Sequence, residues 1–425
     1  MRCKTDPMTG QNQLNEPRAA GSHPGAWRLF LEFLKLGSVA FGGPAAHAAL
    51  MEQELVSRRK WLSHQQFLDF LGAVNLIPGP NSTQMTMLVG YKLRGLPGML
   101  ATGFGFIIPA ALITGLLAWL YVTYGQVPAV EGLFFGLKPA VIAVIAGAIL
   151  NLGQKALKGF WLGVLGVLTL GATLAGLGEI VAILGAGALG MLAFGMHTLV
   201  RGKNKPKDKP PDSGTPNDRK GNGPGKPGGG GLKGLMPLPL LATASAALAS
   251  YSLLKLFWVF ARIGAVLFGT GYVLVAYLDG ELVEKLGWIT REQLLDAIAI
   301  GQFTPGPILT AATFIGYLLD GVPGALAATA GIFLPSFVFI LLLYPVIPRL
   351  RRSPYTSAFL DSVNMAAVAV MLSVTILMTI DTATDWRTAL ILGLALGVVF
   401  GLKKIGSVWI ILGGAALGYL LQLIF

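Results

Sequence analysis

Asn75-Leu76-Ile77-Pro78-Gly79-Pro80-Asn81-Ser82-Thr83-Gln84 and Gln302-Phe303-Thr304-Pro305-Gly306-Pro307 carry the same unusual Pro-Gly-Pro run, 227 residues apart. The same offset lays Phe33 on Phe260, Lys35 on Arg262, Gly37 on Gly264 and Phe41-Gly42 on Phe268-Gly269. It also lays Glu54 on Glu281, Trp61 on Trp288 and Asp69 on Asp296. After one deletion the offset becomes 226, and Gly90-Tyr91 meets Gly316-Tyr317, Pro97-Gly98 meets Pro323-Gly324, and Pro109 meets Pro335. Rare residue types in this order mark an internal duplication. It is clear from about residue 30 to 150 and fades beyond.

Composition sets the environment of the two copies. Of 425 residues, 54% are apolar and 12% are charged, against about 25% charged in soluble domains. Leu96 to Tyr124 and Gly321 to Val346 contain no charged residue. A bilayer core takes about 20 helical residues, and strand alternation is absent, so the fold expected is an all-α polytopic membrane protein. Cys3 is the one cysteine, which supports neither a disulfide framework nor a metal site, and no cofactor is expected. Residues 1–25 lack an apolar signal core and read as a disordered cytoplasmic tail. The net charge of +12 is concentrated in Arg201 to Lys233, which holds nine Lys/Arg against three Asp. This Gly/Pro-rich run reads as a solvated cytoplasmic linker rather than a nucleic-acid site. The expected layout is a first repeat over 26–200, the linker over 201–234, an extra membrane helix over 235–254 and a second repeat over 255–425.

Charges in matching loops differ between the copies. The first copy has Arg58-Arg59-Lys60, Lys92/Arg94 and Lys155/Lys158 where the second has Lys285, Asp320 and Asp381/Asp385 with Arg387. The uncharged loop at Gly125 to Pro128 and the acidic one at Glu179 correspond to Arg349/Arg351/Arg352 and Lys403/Lys404. By the positive-inside rule the copies face opposite ways, which is the inverted repeat of many secondary transporters. The extra helix supplies the odd crossing, with the tail and linker inside and the C-terminus outside.

Each copy has two Gly/Pro interruptions within apolar sequence. They are Phe41-Gly42-Gly43-Pro44 with Phe268-Gly269-Thr270-Gly271, and the two Pro-Gly-Pro runs. Broken backbone at membrane depth survives where protein or a wet cavity satisfies it. Proline suits the first helical position, so Pro44, Pro80 and Pro307 are expected to start half-helices whose free N–H groups attract anions. Asn75, Pro78, Gly79, Asn81, Ser82, Thr83, Gln302, Pro305, Gly306 and Thr310 complete the expected binding region. A structural kink is the competing reading. Lys35 and Arg262 either neutralise a dianion or snorkel to the interface. Glu52, Glu54, Asp69, Asp279, Glu281 and Asp296 either relay protons or pair with basic residues at the membrane edge. Lys138 precedes Pro139, and its counterpart is Asn364. His47 faces Leu274 across the repeat and reads as structural. Trp61 and Trp288 read as interfacial anchors. Gly185-Ala186-Gly187-Ala188-Leu189-Gly190 fits a dinucleotide fingerprint but lacks the preceding strand, so it reads as helix packing. Polar residues are duplicated rather than gathered in one half, which points away from an enzyme.

These stretches resemble the chromate ion transporter family in its two-domain, long-chain form. The carrying residues are Phe41-Gly42-Gly43-Pro44-Ala45-Ala46-His47, the Glu54 to Trp61 region, Asn75 to Gln84 running into Gly90-Tyr91, and the second-half counterparts. Thr270-Gly271 departs from the first-half Gly43-Pro44. The resemblance implies a chromate exporter of the bacterial inner membrane, coupled to the proton gradient, with sulfate as an analogue. The partners it implies are chromate or sulfate and protons; the bilayer, from composition, and a second copy in a homodimer are the other partners expected. Carriage of sulfate or another oxyanion, and a non-transporting oxyanion sensor, are the alternatives.

Overall fold

The computed structural model describes residues 24–41, 44–124, 128–203, 252–268, 271–345, 353–402 and 405–424. The expected tail, most of the linker and the extra segment therefore lie outside the described residues, as do Gly42, Gly43 and Gly269. Two expected boundaries shift. Helix continues through Arg201 to Lys203, and Leu253-Leu254, expected to end the extra segment, begin the first helix of the second repeat.

The described residues are helical and contain no strand. The first repeat comprises α1 (Ala26–Val39), α2 (Pro44–Glu52), α3 (His64–Val74), α4 (Asn81–Tyr124), α5 (Pro128–Ala156), α6 (Phe160–Leu174) and α7 (Glu179–Lys203). The second comprises α8 (Leu253–Val266), α9 (Leu274–Leu278), α10 (Arg291–Phe303), α11 (Ala311–Leu343), α12 (Pro354–Thr382), α13 (Trp386–Gly401) and α14 (Ser407–Ile424). α2 and α9 each run into a wider π-helical turn, at Gln53–Arg58 and Asp279–Lys285. α3 and α10 each begin with a capping box. The hydroxyls of Ser63 and Thr290 accept the N–H groups of Gln66 and Gln293, whose side chains reach back to the capping residues.

α4 and α11 are each two helices folded back on themselves. In a straight helix, residues eight apart stand about 12 Å apart. A Cβ built on Gly90 would instead lie 2.3 Å from the Gly98 carbonyl oxygen, and one on Gly316 2.3 Å from that of Gly324. The reversals fall at Arg94-Gly95 and Asp320-Gly321, where the glycines have φ of 63° and 56°. α1 then packs on α4 through Gly37 and Gly105, and α8 packs on α11 through Gly264 and Gly331. At each of these four glycines an added Cβ would fall within 2.7 Å of a backbone oxygen of the facing helix.

The outer helices are exchanged. α5 packs against α13 and α14 of the second repeat, and α12 against α6 and α7 of the first. Small residues permit both contacts. Gly136 meets Gly414 and Gly418, while Gly187 and Gly190 meet Phe359 and Ser362. The expected packing role of the glycine run in α7 is therefore found at two of its three glycines, and Gly185 faces open space.

Among the described residues, six helices are long and apolar enough to cross a membrane. Leu112, Trp161 and Trp409 are 69%, 81% and 71% exposed on their outer faces. Such large apolar exposure suits lipid rather than water. α1, α3, α8 and α10 have 14, 11, 14 and 13 residues, so each rises only about 17–21 Å against a hydrocarbon core of about 30 Å. They are half-span elements of a multi-pass membrane protein with two inverted repeats.

Candidate functional site

The two Pro-Gly-Pro turns meet the ends of α1 and α8 and are knitted crosswise. The Gly79 N–H donates to the Leu267 carbonyl at 2.6 Å, and the Gly306 N–H donates to the Ala40 carbonyl at 2.7 Å. Each Pro-Gly-Pro turn is thus tied to the residue ending α1 or α8 in the opposite repeat. Both glycines have positive φ, 128° and 97°. A Cβ on Gly79 would lie 2.6 Å from the Ser336 hydroxyl, and one on Gly306 2.8 Å from the Ala110 methyl. These two amide groups are spent on the scaffold, which narrows the expectation that the turns offer free N–H groups.

Two cavities adjoin at this crossing. The inner one, about 30 Å³, is bounded by His47, Pro80, Asn81, Ser82, Gly271, Tyr272, Gln302, Gly306 and Pro307 among others. It has room for about two water molecules. The larger cavity, about 670 Å³, is lined by Asn75, Asn81, Ser82, Lys155, Lys158, Ser353, Ser357, Asp361 and Asn364 among others. Asn81 and Ser82 line both, so they form the neck between them. On the 227-residue offset, Asn75, Asn81 and Ser82 correspond to Gln302, Ile308 and Leu309, which line the inner cavity. The inner cavity is thus, in part, the closed counterpart of the open one.

Polar groups around the neck are few. Asn81 donates to Asn75 at 2.8 Å. Gln302 lies beside Tyr272, but its buried amide nitrogen has no hydrogen-bond partner of good geometry. His47 is 3% exposed and makes two contacts, Nε2 to the Ala40 carbonyl at 3.1 Å and Nδ1 to the Ser82 hydroxyl at 3.0 Å. Sequence reasoning set His47 aside because its repeat partner is Leu274. The signal that could have found it lay in its spacing, three residues into the helix that Pro44 opens.

Other expected site residues lie elsewhere. Thr83 and Thr310 are fully buried and line neither cavity, and the Thr310 hydroxyl is turned onto the Pro307 carbonyl at 2.9 Å. Pro78 and Pro305 flank the knitted glycines, where the Pro78 carbonyl accepts Gln84 Nε2 at 2.6 Å. Pro44 opens α2. Lys35 and Arg262 are exposed and line neither cavity. Arg262 is instead ion-paired to Glu281, which also meets Lys285 at 3.5 Å.

The acidic residues divide by environment. Glu54 pairs with Arg58 at 2.9 Å and Arg59 at 2.7 Å. Desolvation raises its pKa, but the Arg59 hydrogen bond and the charges of both arginines together hold it below the ordinary value. Glu52 meets His64 at 2.9 Å, and Asp69 accepts from Gln65 at 3.3 Å. Asp279 is fully buried against Arg291 at 3.0 Å. Asp296 differs from its repeat partner Asp69 in being 3% exposed. One of its oxygens accepts the Tyr121 hydroxyl at 2.8 Å, and the other is buried without a partner. Lys138, near it, reaches Glu292 at 3.4 Å. No cluster of metal-ligating side chains exists among the described residues.

Comparison with known proteins agrees with this architecture. A protein of Cupriavidus metallidurans named as a chromate transport protein is 29% identical over 92% of both chains. A probable chromate transport protein of Synechococcus elongatus is 31% identical over 84% of this chain and 86% of its own. An uncharacterized transporter of Bacillus subtilis is 30% identical over 31% of this chain but 73% of its own, so it is about one repeat long. No solved structure matches. The family model described as chromate transporter matches twice, over residues 27–191 and 254–419, and the chain therefore belongs to the chromate transporter family, with one copy of its domain in each repeat.

Proposed function

We propose that this protein is a secondary transporter that exports chromate across the bacterial inner membrane, drawing on the proton-motive force. The observation that carries the reading is the shared neck. One polar pair, Asn81 and Ser82, stands at the N-terminus of α4 and lines both a wide cavity and a closed one. A tetrahedral dianion held there meets the Ser82 hydroxyl, the Asn81 amide and the positive end of α4. Gln302 offers a further donor from the second repeat. Lys155 and Lys158 line the wide cavity and fall on the cytoplasmic side by the charge rule, so the described state receives anions from inside. Rocking about the knitted glycines would widen the inner cavity as the wide one closes, giving alternating access. Lys35 and Arg262 are assigned to the membrane edge rather than to the anion. Asp296, buried with one oxygen unpartnered, is the carboxylate best placed to exchange protons.

The membrane potential, negative inside, favours exit of a dianion by about 4.6 kcal/mol per 100 mV, at about 2.3 per charge. Uptake of labelled chromate into everted vesicles tests the reading. Uptake that follows the imposed potential is expected, with sulfate competing. A protein that binds chromate but moves none in liposomes would be a sensor, and preferential carriage of sulfate would reassign the substrate. Substituting Lys155 and Lys158 together by Gln is expected to lower uptake several-fold at low ionic strength and less at high salt.

A further inference from the structure

We propose that His47 is the group through which oxyanion binding takes up a proton. This rests on the anion site at the neck and assigns its proton chemistry.

The argument starts from hydrogen-bond direction. The Ala40 carbonyl can only accept, so His47 Nε2 must carry a hydrogen. In the neutral ring Nδ1 then has a lone pair and no hydrogen, and it accepts from the Ser82 hydroxyl. The Ser82 hydrogen is thereby turned away from the cavity it lines. Addition of a proton at Nδ1 reverses the contact. Nδ1–H now donates to Ser82 Oγ, and the hydroxyl hydrogen is released to point at an anion in the neck. The same proton places a positive charge one side chain from that anion. Both effects favour the anion, so by linkage the anion favours the proton.

The surroundings leave this role to the imidazole. Tyr272 is the titratable side chain that shares its inner cavity, and no carboxylate or cation lines that cavity among the described residues. The packed elements bring Lys35 on α1, Glu52 on α2, Asp69 on α3, and Lys92 and Arg94 on α4. Both ring nitrogens are engaged by Ala40 and Ser82 instead. Ala40 O also accepts the Gly306 N–H, so the imidazole touches the carbonyl that joins the two repeats. Its protonation is therefore placed to bias the hinge as well as the neck.

Isothermal calorimetry on the purified full chain provides the test, with chromate near pH 8, where the free ligand is a dianion, and sulfate as a second probe. Heats measured in buffers of different ionisation enthalpy count the protons taken up. Wild type is expected to take up a measurable fraction of one proton per anion, and its affinity is expected to rise severalfold as pH falls towards 7. His47→Gln keeps a donor for Ala40 and an acceptor for Ser82 but cannot titrate. It is expected to bind without proton uptake and with pH-independent affinity. Wild-type binding without proton uptake would overturn the proposal, and so would equal uptake by His47→Gln. The wild-type measurement stands even if the variant does not fold. Failure of wild type to bind either anion would overturn the anion-site reading and this coupling together.

Discussion

Gly79 and Gly306 show how much a single position carries. Each combines a positive φ with a backbone hydrogen bond to the opposite repeat and no space for a Cβ. Substitution of either by Ala forces a backbone that costs about 1–3 kcal/mol before any clash is counted. The expected result is a melting temperature lowered by several degrees and lost transport, measured by fluorescence-detected size exclusion after heating and by vesicle uptake. Arg262 gives a second prediction. Glu281 has a side chain only 8% exposed, so Arg262→Gln leaves a buried carboxylate with Lys285 at 3.5 Å as its remaining cation, whereas Arg262→Gln with Glu281→Gln removes the pair. Because Arg262 is half-exposed, the single change is expected to cost about 1 kcal/mol, and the double change to recover most of it. Transport that stays lost in the stable double variant would return these residues to the anion path. The sequence could place Arg262 and Glu281 in matching repeat positions. It could not show that they face one another, because that depends on the π-helical turn at Asp279–Lys285, which re-aims the carboxylate.

At the scale of elements, duplicated local chemistry explains duplicated geometry. Ser63/Gln66 and Thr290/Gln293 cap α3 and α10 at the same offset that relates the Pro-Gly-Pro turns. Ser63→Ala or Thr290→Ala is expected to cost about 1 kcal/mol each, seen as a lower melting temperature with an intact oligomeric profile. The fold-back of α4 and α11 was hidden in the sequence. Gly95 and Gly321 stood beside apolar runs long enough to span, and composition alone does not separate a long helix from a tight hairpin. The breaks themselves were legible, because proline and glycine act through the backbone and leave the same mark in any context. The contents of the neck were legible in part. Asn75, Asn81, Ser82 and Gln302, expected to bind an anion, line the cavities, and His47, expected to be structural because its repeat partner is Leu274, lines the inner one.

Across the whole molecule, the exchange of outer helices means that neither repeat closes its own core. α5 without α13 and α14, or α12 without α6 and α7, would leave its inward face open. Residues 1–203 and 204–425 expressed as separate chains, the second keeping the extra segment, are therefore expected to copurify and restore vesicle uptake, with neither active alone. Full activity from one half alone would contradict the exchanged packing. The number of repeats and their opposed direction could be read from offsets and loop charges. Which outer helix packs on which could not, because similarity fades beyond about residue 150, where those helices lie.

The crosswise bonds of Gly79 and Gly306 survive in both halves, while the chamber beside them has an imidazole on one side and leucine at the matching place. A protein built from single repeats, such as one of half this length, would have to make the chamber from two chains. If those chains were identical, both walls would carry the same side chains, and a bound ion would have no preferred way to lie. Joining two copies in one polypeptide lets the walls diverge while the joints stay equal. The ancestry of the chain is then written in its mechanics, and its chemistry is what fusion set free to become one-sided.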